Sequence, residues 1–378
     1  MSTELRIDEI RLETLRLALE PPFDAAWDPE PRREFEATLV RVRTDTGIVG
    51  IGSGDTMDGF ERHAHLFIGR DPLTVVSHAR TLETISFHSG RYWPLEAALW
   101  DILGQACGMP VAKLLGGAAT RVPAYASWGR LCSSEQRAQD ARELVERGFR
   151  AVKVRISREA LDEGVEVVTA VRSAVGEALA IMVDLNQWWR MPGDEGRGLG
   201  PADARSLVGR LRELGVMWVE EPLAGEDRAG MRALREATGA RIAGGEMART
   251  FDELRLALDA EALDVFQPDA VLTLGISGAR TLAETALRRN RWFTPHTWTN
   301  GIGLLANLHV CAGVGGGPFI EFPYDPPGWT PERRDFMLAE PLTVDSDGLL
   351  HVPQAPGLGI VLDEHAVARH TERQLVLS

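Results

Sequence analysis

The fold is decided by one stretch of sequence, AVKVRISREALDEGVEVVTAVRSAVGEALAIMVD (151–184). It begins with a short apolar, β-branched run that ends on Arg155, and it closes with a second such run that ends on Asp184. A loop and a segment with apolar residues at helical spacing lie between them. Short apolar runs of this kind are typical of buried strands, and the spacing of the middle segment is typical of an amphipathic helix. The stretch therefore predicts a strand, a helix and a second strand.

The same unit recurs along the chain from about residue 120. Helical stretches separate the strand-like runs, and the stretch at 133–148 opens with a capping pattern of Ser133 and Gln136 and closes on Gly148. Eight strands that alternate with helices over about 200 residues predict an α/β fold, a parallel (β/α)₈ barrel of the TIM type, rather than an open doubly wound sheet. The eight runs are VPAYAS (122–127), AVKVR (151–155), AIMVD (180–184), VMWVE (216–220), RIAGGE (241–246), DVFQPD (264–269), RWFTPH (291–296) and PFIE (318–321).

Both ends of the chain differ from this repeat. Residues 5–19 and 35–54 alternate with period two around a turn at Asp45–Gly47, which predicts a small antiparallel sheet. The segment 94–117 is apolar on one face and ends in two glycines, as expected of helices that pack between two domains. The predicted domains are an N-terminal α+β capping domain (1–120), a barrel catalytic domain (121–321) and a C-terminal segment that returns to the capping domain (322–378).

The composition is that of an ordinary globular protein with an excess of acidic residues. Of 378 residues, 44% are hydrophobic and 25% are charged, and the formal net charge is −14. So acidic a chain is repelled by nucleic acid and by anionic membranes, and no run reaches the roughly 18 apolar residues of a membrane span. The start lacks the features of a signal peptide. The sequence predicts a cytoplasmic protein without nucleic-acid or membrane partners, in which Cys107, Cys132 and Cys311 are small buried side chains.

Carboxylates stand at the ends of three consecutive predicted strands. In a barrel the carboxyl ends of the strands meet on one face, which brings Asp184, Glu220 and Glu246 together. Three anionic side chains around one point repel each other unless a cation lies between them. Mg²⁺ prefers such a set of oxygen ligands, whereas zinc prefers His or Cys. We therefore predict a site for one Mg²⁺ held by these three residues.

Two further groups of side chains flank the predicted metal site. Lys153 and Arg155 share one face of the second strand, and Lys153 is one of only two lysines in the chain, which favours a role that arginine cannot fill. Across the barrel, Asp269 is placed to hold the ring of His296, and Glu321 to bind a developing oxyanion. A base on each side of a bound cation suits removal of a proton next to a carboxylate. Two other histidines are interpreted as structural: His309 and His351.

These motifs resemble those of the enolase superfamily, mandelate racemase subgroup. The motifs that match are ALWDILG and GMPVAKLLGG at the end of the capping domain, VKVR as the KxK element, IMVDLNQ, VEEP and GGE on the metal-ligand strands, and QPD, PHTW and IEF on the last three strands. The resemblance implies capping loops near residues 20–32 and 52–58 that close over a small carboxylate substrate, and a homo-oligomeric assembly. The implied site residues are Mg²⁺ ligands Asp184, Glu220 and Glu246, the dyad Asp269 and His296, Glu321 as an electrophilic hydrogen-bond donor, Lys153 as a further catalytic residue, and substrate contacts Arg155, Asn186, Trp298 and Trp27.

One position departs from the family pattern. The second lysine of KxK, which is the usual base on the second strand, is Arg155 in this chain. Arginine binds carboxylates but is a poor base near neutral pH, so we expect His296 or Lys153 to take the proton. The predicted function is Mg²⁺-dependent dehydration of a hydroxy acid of the sugar-acid class. The alternative is a racemase, epimerase or cycloisomerase that acts on a similar carboxylate.

Two other classes of protein fit the sequence less well. A pyridoxal-phosphate barrel with Lys153 as the Schiff base needs a phosphate cradle at the carboxyl end of the strands. The glycine-rich GVGGG (313–317) precedes the eighth strand and so lies at the opposite end. A binding protein without catalysis would leave the acid/base residues over the metal site without a purpose.

Overall fold

The computed structural model describes residues 5–378, and its first sheet lies in the N-terminal part. Its four strands are β1 (Ile7–Phe23), β2 (Arg32–Thr44), β3 (Val49–Ser53) and β13 (Thr371–Leu377). They are antiparallel and lie in the order β13, β1, β2, β3. Strand β13 comes from the far end of the chain and pairs with β1 from Ile10 to Leu15. The C-terminal end of the described residues therefore pairs with the N-terminal sheet.

The second sheet is curled and has eight parallel strands. They are β4 (Arg121–Ser127), β5 (Ala151–Arg155), β6 (Ala180–Asp184), β7 (Val219–Glu220), β8 (Ile242–Gly244), β9 (Val265–Phe266), β10 (Trp292–Phe293) and β11 (Ile320–Pro323). Neighbours in sequence are neighbours in the sheet from β4 to β10, and β11 pairs with β4. A short antiparallel strand, β12 (Leu349–His351), also pairs with β4. The predicted barrel-like α/β fold with a capping domain is confirmed.

Helices cover the outside of this sheet and complete the capping domain. Seven of them join the eight parallel strands. Strand β11 is followed by a helix of only four residues, which takes the place of the eighth long helix of a full (β/α)₈ repeat. The helices are α1 (Val75–Ser86), α2 (Trp93–Cys107), α3 (Val111–Leu114), α4 (Ser134–Glu146), α5 (Leu161–Val175), α6 (Pro201–Glu213), α7 (Arg228–Thr238), α8 (Phe251–Asp259), α9 (Gly275–Arg288), α10 (Gly301–Val314), α11 (Pro331–Arg334) and α12 (Glu364–His370).

Several barrel strands are shorter than their sequence runs predict. The run at 216–220, for example, is a strand only at its last two residues. Left-handed backbone conformations follow directly after β6, β7 and β8, because φ is +47° at Asn186, +48° at Glu221 and +105° at Gly245. Such conformations are costly for residues other than glycine and recur at functional sites. They turn the chain away from the sheet at the edge where the polar residues stand.

Helix α2 connects the capping sheet to the barrel. Two glycines of β3, Gly50 and Gly52, let the strand approach the helix backbone, because a Cβ at either position would overlap a carbonyl oxygen of Ala98 or Pro94. On its other side, the carboxylate of Glu96 accepts a hydrogen bond from the amide of Ser277 in α9. The segment 94–117 therefore packs between the two sheets, as its apolar pattern predicts.

The expected signals at the ends of α4 are only partly realised. The Ser133 hydroxyl accepts a hydrogen bond from the Gln136 amide at 3.3 Å, which caps the helix. The Gln136 side chain donates to Asp140 instead of returning to the cap, so half of a capping box is present. Gly148 follows with φ +97°, a conformation that glycine adopts without strain.

Among residues 5–378, no helix has the length and apolar character needed to cross a membrane.

The three cysteines differ in their exposure to solvent. All three cysteines are free. The prediction that they are buried is correct for Cys311, but Cys132 is half-buried and Cys107, the last residue of α2, is exposed. Cys107 is exposed because the apolar face of α2 ends one turn before it.

His309 is a structural histidine, as the sequence predicts. It lies in α10 with its side chain buried; Nδ1 accepts a hydrogen bond from the Ala112 amide at 3.0 Å, and Nε2 donates to the Leu358 carbonyl at 3.1 Å. The ring therefore joins α10 to α3 and to the C-terminal segment in its neutral form. Burial lowers the pKa of His309 to about 4.

This histidine should make the fold sensitive to acid. Between its unfolded pKa near 6.5 and its folded pKa of about 4, the unfolded state binds the extra proton, so the free energy of unfolding falls as the pH falls, by roughly 3 kcal/mol in all. In His309→Gln, whose amide does not titrate, urea unfolding between pH 7 and pH 4 should show a shallower pH dependence. Replacement of the exposed His65 by Gln is the matched control and should leave the slope of the parent protein.

Candidate active site

Three carboxylates meet at the carboxyl ends of neighbouring barrel strands. Asp184 and Glu220 are the last residues of β6 and β7, and Glu246 lies two residues beyond β8. One oxygen of each lies within 4.8 Å of the others, and all three side chains are buried. The structure therefore brings together the three residues that were predicted as metal ligands.

This group of oxygens fits a divalent cation that prefers oxygen ligands. Burial, together with repulsion from Asp184, raises the pKa of Glu220 well above its usual range. The Oε2 atom of Glu246 is buried and has no hydrogen-bond partner within residues 5–378. Because an unpaired buried carboxylate oxygen is costly, a bound cation would relieve both conditions. The all-oxygen set is the kind that Mg²⁺ prefers.

Lys153 lies beneath these carboxylates and is completely buried. Its Nζ atom is 2.7 Å from Glu220, 2.8 Å from Glu321 and 3.2 Å from Asp184. Burial disfavours its charge, but Glu220 and Glu321 outweigh burial and hold the pKa of Lys153 well above its ordinary value. This geometry differs from the prediction that Lys153 takes a proton from the substrate, because its ammonium group is engaged by three carboxylates and is not exposed to the cavity described below.

Arg155 points toward the face where a substrate would bind. Its guanidinium group contacts Asp184, donates to Asn186 Oδ1 at 2.8 Å, and donates from Nε to the Trp128 carbonyl at 2.9 Å. The rings of Trp27 and Trp298 lie 4.8 Å and 5.8 Å from its central carbon. These contacts fix Arg155 as a cation, as the sequence predicts from its chemistry.

His296 faces the metal-ligand residues from the other side. Its Nδ1 atom donates to Asp269 at 3.1 Å, and Nε2 lies 3.7 Å from Glu246. Asp269 is held in turn, because its other oxygen accepts from the Asn307 side chain at 2.9 Å and the Val271 amide at 2.8 Å. Burial disfavours the charged ring, but the surrounding carboxylates, Glu246 foremost, outweigh it and raise the pKa of His296 to about 9.

Glu321 is arranged differently from its predicted use as a hydrogen-bond donor. One of its oxygens accepts from the Ser127 hydroxyl at 2.7 Å and lies beside Lys153, while the other accepts from the Thr297 amide at 2.9 Å. Burial opposes ionisation, but Lys153 and His296 outweigh it and lower the pKa of Glu321 to about 2. The carboxylate is thus an acceptor that is already occupied by the protein.

A cavity of about 140 Å³ opens above these groups, and we call it the His296 cavity. Six of its lining residues are predicted from the sequence, and the other five lie outside the motifs. One of the five, Trp189, donates its indole N–H to Glu246 at 3.0 Å. The lining residues are Trp27, Arg32, Arg155, Asn186, Trp189, Met191, Glu246, Met247, Leu272, His296 and Trp298.

The two capping loops are placed unequally around this cavity. The loop near 20–32 reaches it through Trp27 and Arg32. The loop near 52–58 does not line it; it is bound to the barrel, where the Ser53 hydroxyl accepts from the Asn300 side chain at 2.8 Å. Only the first loop therefore contacts the space predicted for the substrate.

Comparison with known proteins gives the same fold. The family model for the mandelate racemase / muconate lactonizing enzyme N-terminal domain matches residues 16–116, and the enolase C-terminal domain-like model matches residues 136–366. The arabinonate dehydratase of Saccharolobus solfataricus is 31% identical over 271 residues, which cover 71% of this chain and 68% of that protein. The D-galactarolactone cycloisomerase of Agrobacterium fabrum is 28% identical and covers 96% of this chain and 98% of its own.

A solved structure shows the likeness in three dimensions. The L-talarate/galactarate dehydratase of Salmonella typhimurium, liganded with Mg and L-lyxarohydroxamate, superposes with a TM-score of 0.85 at 25% identity. The match covers 100% of this chain and 95% of that one. Because the two family models together cover most of the sequence, this chain belongs to the enolase superfamily, in the mandelate racemase and muconate lactonizing enzyme group.

Proposed function

We propose that this enzyme dehydrates a hydroxy acid of the sugar-acid class. The observation that carries the proposal is the placement of His296: Asp269 fixes it at 3.1 Å, and it lies 3.7 Å from the metal-ligand residue Glu246 in one cavity. A base held beside a cation site suits removal of the proton next to a bound carboxylate. When bound, Mg²⁺ would neutralise the charge that the substrate carboxylate gains as this proton leaves.

The protein's own residues divide the work as follows. Because Glu246 is the foremost carboxylate that raises the pKa of His296, a cation held by Glu246 would favour the neutral ring. The neutral His296 takes the proton from the carbon next to the carboxylate, and Asp269 keeps its ring oriented. The protonated ring then gives that proton to the hydroxyl group on the adjacent carbon, which leaves as water. The resulting enol becomes a 2-keto-3-deoxy acid. Lys153 and Glu321 stay fixed as a buried ion pair that supports the metal ligands.

Arg155 favours dehydration over inversion of configuration. Inversion needs a group that exchanges protons on each face of the planar intermediate, and the residue opposite His296 is an arginine clamped between Trp27 and Trp298. Dehydration needs one such group. We propose that Arg155 and Asn186 instead bind the substrate, with the two tryptophans as walls. Dehydration is also the activity named for two of the relatives described above.

A cycloisomerase is the second candidate, because a relative with that activity matches the chain over nearly its full length. Opening or closing a lactone ring also needs only one base, so the geometry of His296 and Arg155 allows it. The product distinguishes the two: dehydration gives a keto acid and water, whereas a cycloisomerase gives an isomer of the substrate.

Three further features stay predictions from the sequence alone. We propose that the enzyme works in the cytoplasm as a homo-oligomer, in keeping with its acidic composition and its family resemblance. We also propose that the chain divides into domains near residues 120 and 321. The contact of β13 with β1 supports the return of the C-terminal segment to the capping domain.

Mg²⁺ should bind at the three carboxylates and stabilise the fold. At a concentration one hundred times its dissociation constant, a ligand that binds only the folded protein adds about 2.7 kcal/mol to the free energy of unfolding. Glu220→Gln should lose most of the resulting rise in Tm and all turnover. Glu213→Gln, an exposed residue at the end of α6, is the control and should keep both. Full activity in excess chelator would contradict the assignment.

His296→Asn should lower kcat by at least about 10²-fold, because it removes the proton acceptor. Asp269→Asn should lower kcat by about 10- to 100-fold, since the ring loses its orientation. Both variants should keep the Mg²⁺-induced rise in Tm, and replacement of the exposed His65 by Asn should change nothing. Turnover of His296→Asn at the parent rate would show that the dyad is structural.

Turnover in D₂O tests the reaction itself. Sugar acids incubated with the enzyme and Mg²⁺ should give a 2-keto-3-deoxy acid, and the substrate recovered at partial conversion should keep its configuration. Nuclear magnetic resonance of both species measures the two outcomes. Inverted substrate that carries deuterium next to the carboxylate, without keto acid, would instead establish a racemase or epimerase.

A further inference from the structure

A second cavity adjoins the His296 cavity, and we call it the Arg158 cavity. It has a volume of about 430 Å³ and lies between the capping loop at 26–29, the loop at 156–159 after β5 and the loop at 185–196 after β6. The two cavities share four lining residues: Trp27, Asn186, Trp189 and Met191. A molecule that reacts at His296 can therefore extend past this shared wall.

The volumes of the two cavities indicate that a substrate occupies both of them. Sites for small molecules commonly have volumes of about 300–1,000 Å³. The His296 cavity, at about 140 Å³, is smaller than this range and accommodates the reacting end of a sugar acid. The Arg158 cavity, at about 430 Å³, provides the space for the remaining carbons and hydroxyl groups.

The cations near this space already contact carboxylates of the protein. Arg158 forms an ion pair with Asp194, and Arg190 lies 3.7 Å from the same carboxylate. Arg32, at the edge of the His296 cavity, forms two hydrogen bonds with Asp28, one of them at 3.2 Å. These pairs offer both donors and acceptors to hydroxyl groups, and a second carboxylate of a substrate would compete with Asp194 and Asp28 for the arginines.

Two further carboxylates line the Arg158 cavity without a cation beside them. Glu159 and Glu195 are exposed, and within residues 5–378 neither takes part in an ion pair. Their charges add to the net charge of −14 of the chain. An anionic group that entered the Arg158 cavity would meet this negative charge, while Arg158 is already paired with Asp194, and juxtaposed like charges oppose binding.

We infer that the Arg158 cavity binds the non-reacting end of the substrate and selects sugar acids in which that end is uncharged. This inference rests on the proposed function and makes it more specific. Monocarboxylic acids, which end in a hydroxymethyl group, are accepted. Dicarboxylic acids of the same configuration are rejected, because their second carboxylate would lie beside Glu159 and Glu195.

Binding to an inactive variant tests the inference without turnover. His296→Asn with Mg²⁺ is titrated by calorimetry with matched pairs, D-gluconate against D-glucarate and D-galactonate against D-galactarate, which differ only in the oxidation of the last carbon. The monocarboxylate of at least one pair should bind about tenfold more tightly or better, and the difference should shrink as salt is added because the cavity is open to solvent.

Removal of the two negative charges from the wall of the Arg158 cavity should remove its preference for monocarboxylic acids. Glu159→Gln combined with Glu195→Gln in the His296→Asn background should strengthen binding of the dicarboxylate several-fold more than binding of the monocarboxylate. Glu146→Gln combined with Glu213→Gln is the matched control: it changes the net charge by the same amount at the last residues of α4 and α6, at the opposite end of the barrel.

The results separate this inference from the proposed function. Equal or tighter binding of the dicarboxylates, no binding of any of the four acids, or an unchanged ratio in the Glu159 and Glu195 variant would each overturn the inference. If the parent enzyme forms no keto acid while the binding preference persists, the proposed dehydration is wrong and the selective cavity stands.

Discussion

Several carboxylates are buried at or just after the ends of the barrel strands, and the rest of the site depends on how their charge is balanced. Asp184, Glu220 and Glu321 share the ammonium group of Lys153, which lies among them with no exposure to solvent. Glu246 is outside that cluster, and its Oε2 atom has no hydrogen-bond partner within residues 5–378, although the ring of His296 lies 3.7 Å away. Burial of charge is tolerated only with a partner, so the charge of Glu246 depends on that ring and on a bound cation. Glu246 lies on the side of the site where the cavity and His296 are found.

On the side of the site opposite His296, the balance of charge depends on Arg155. Its guanidinium group compensates Asp184, and the rings of Trp27 and Trp298 hold it in place. Those two tryptophans pack edge to face at 4.9 Å, which joins the capping loop to the end of the seventh strand. The same contacts that fix a cation in the site therefore also fix the capping loop over it. An arginine held in this way binds and orients, whereas proton transfer remains with His296.

The sequence predicts the strand ends well because they follow from periodicity. Asp184 and Glu220 are the last residues of apolar runs. Their strands are neighbours in a parallel sheet, so both residues lie at the same edge of that sheet. The role of Lys153 could not be predicted in the same way. Lysine is rare in this chain, which indicates a particular role for Lys153, but only the packing shows that its side chain points inward, toward three carboxylates. The lining residues Trp189 and Met191 could not be predicted because loops carry no period, and the strand β13 because its apolar residues are few and none of them is fully buried.

The residues that act on the reacting carbon and the residues that contact the rest of the substrate lie on different parts of the structure. The groups that act on the reacting carbon are fixed by the ladder of the barrel and by buried hydrogen bonds, such as those that hold Asp269. The groups that meet the rest of the substrate lie on the capping loop and on the loops after β5 and β6, where side chains are exposed and their ion pairs are local. Substitutions of loop residues that do not contact Arg155 or the metal-ligand carboxylates, such as Glu159 and Glu195, leave the buried charge balance intact. Selection of the substrate can therefore change while the proton transfer and the metal site stay the same.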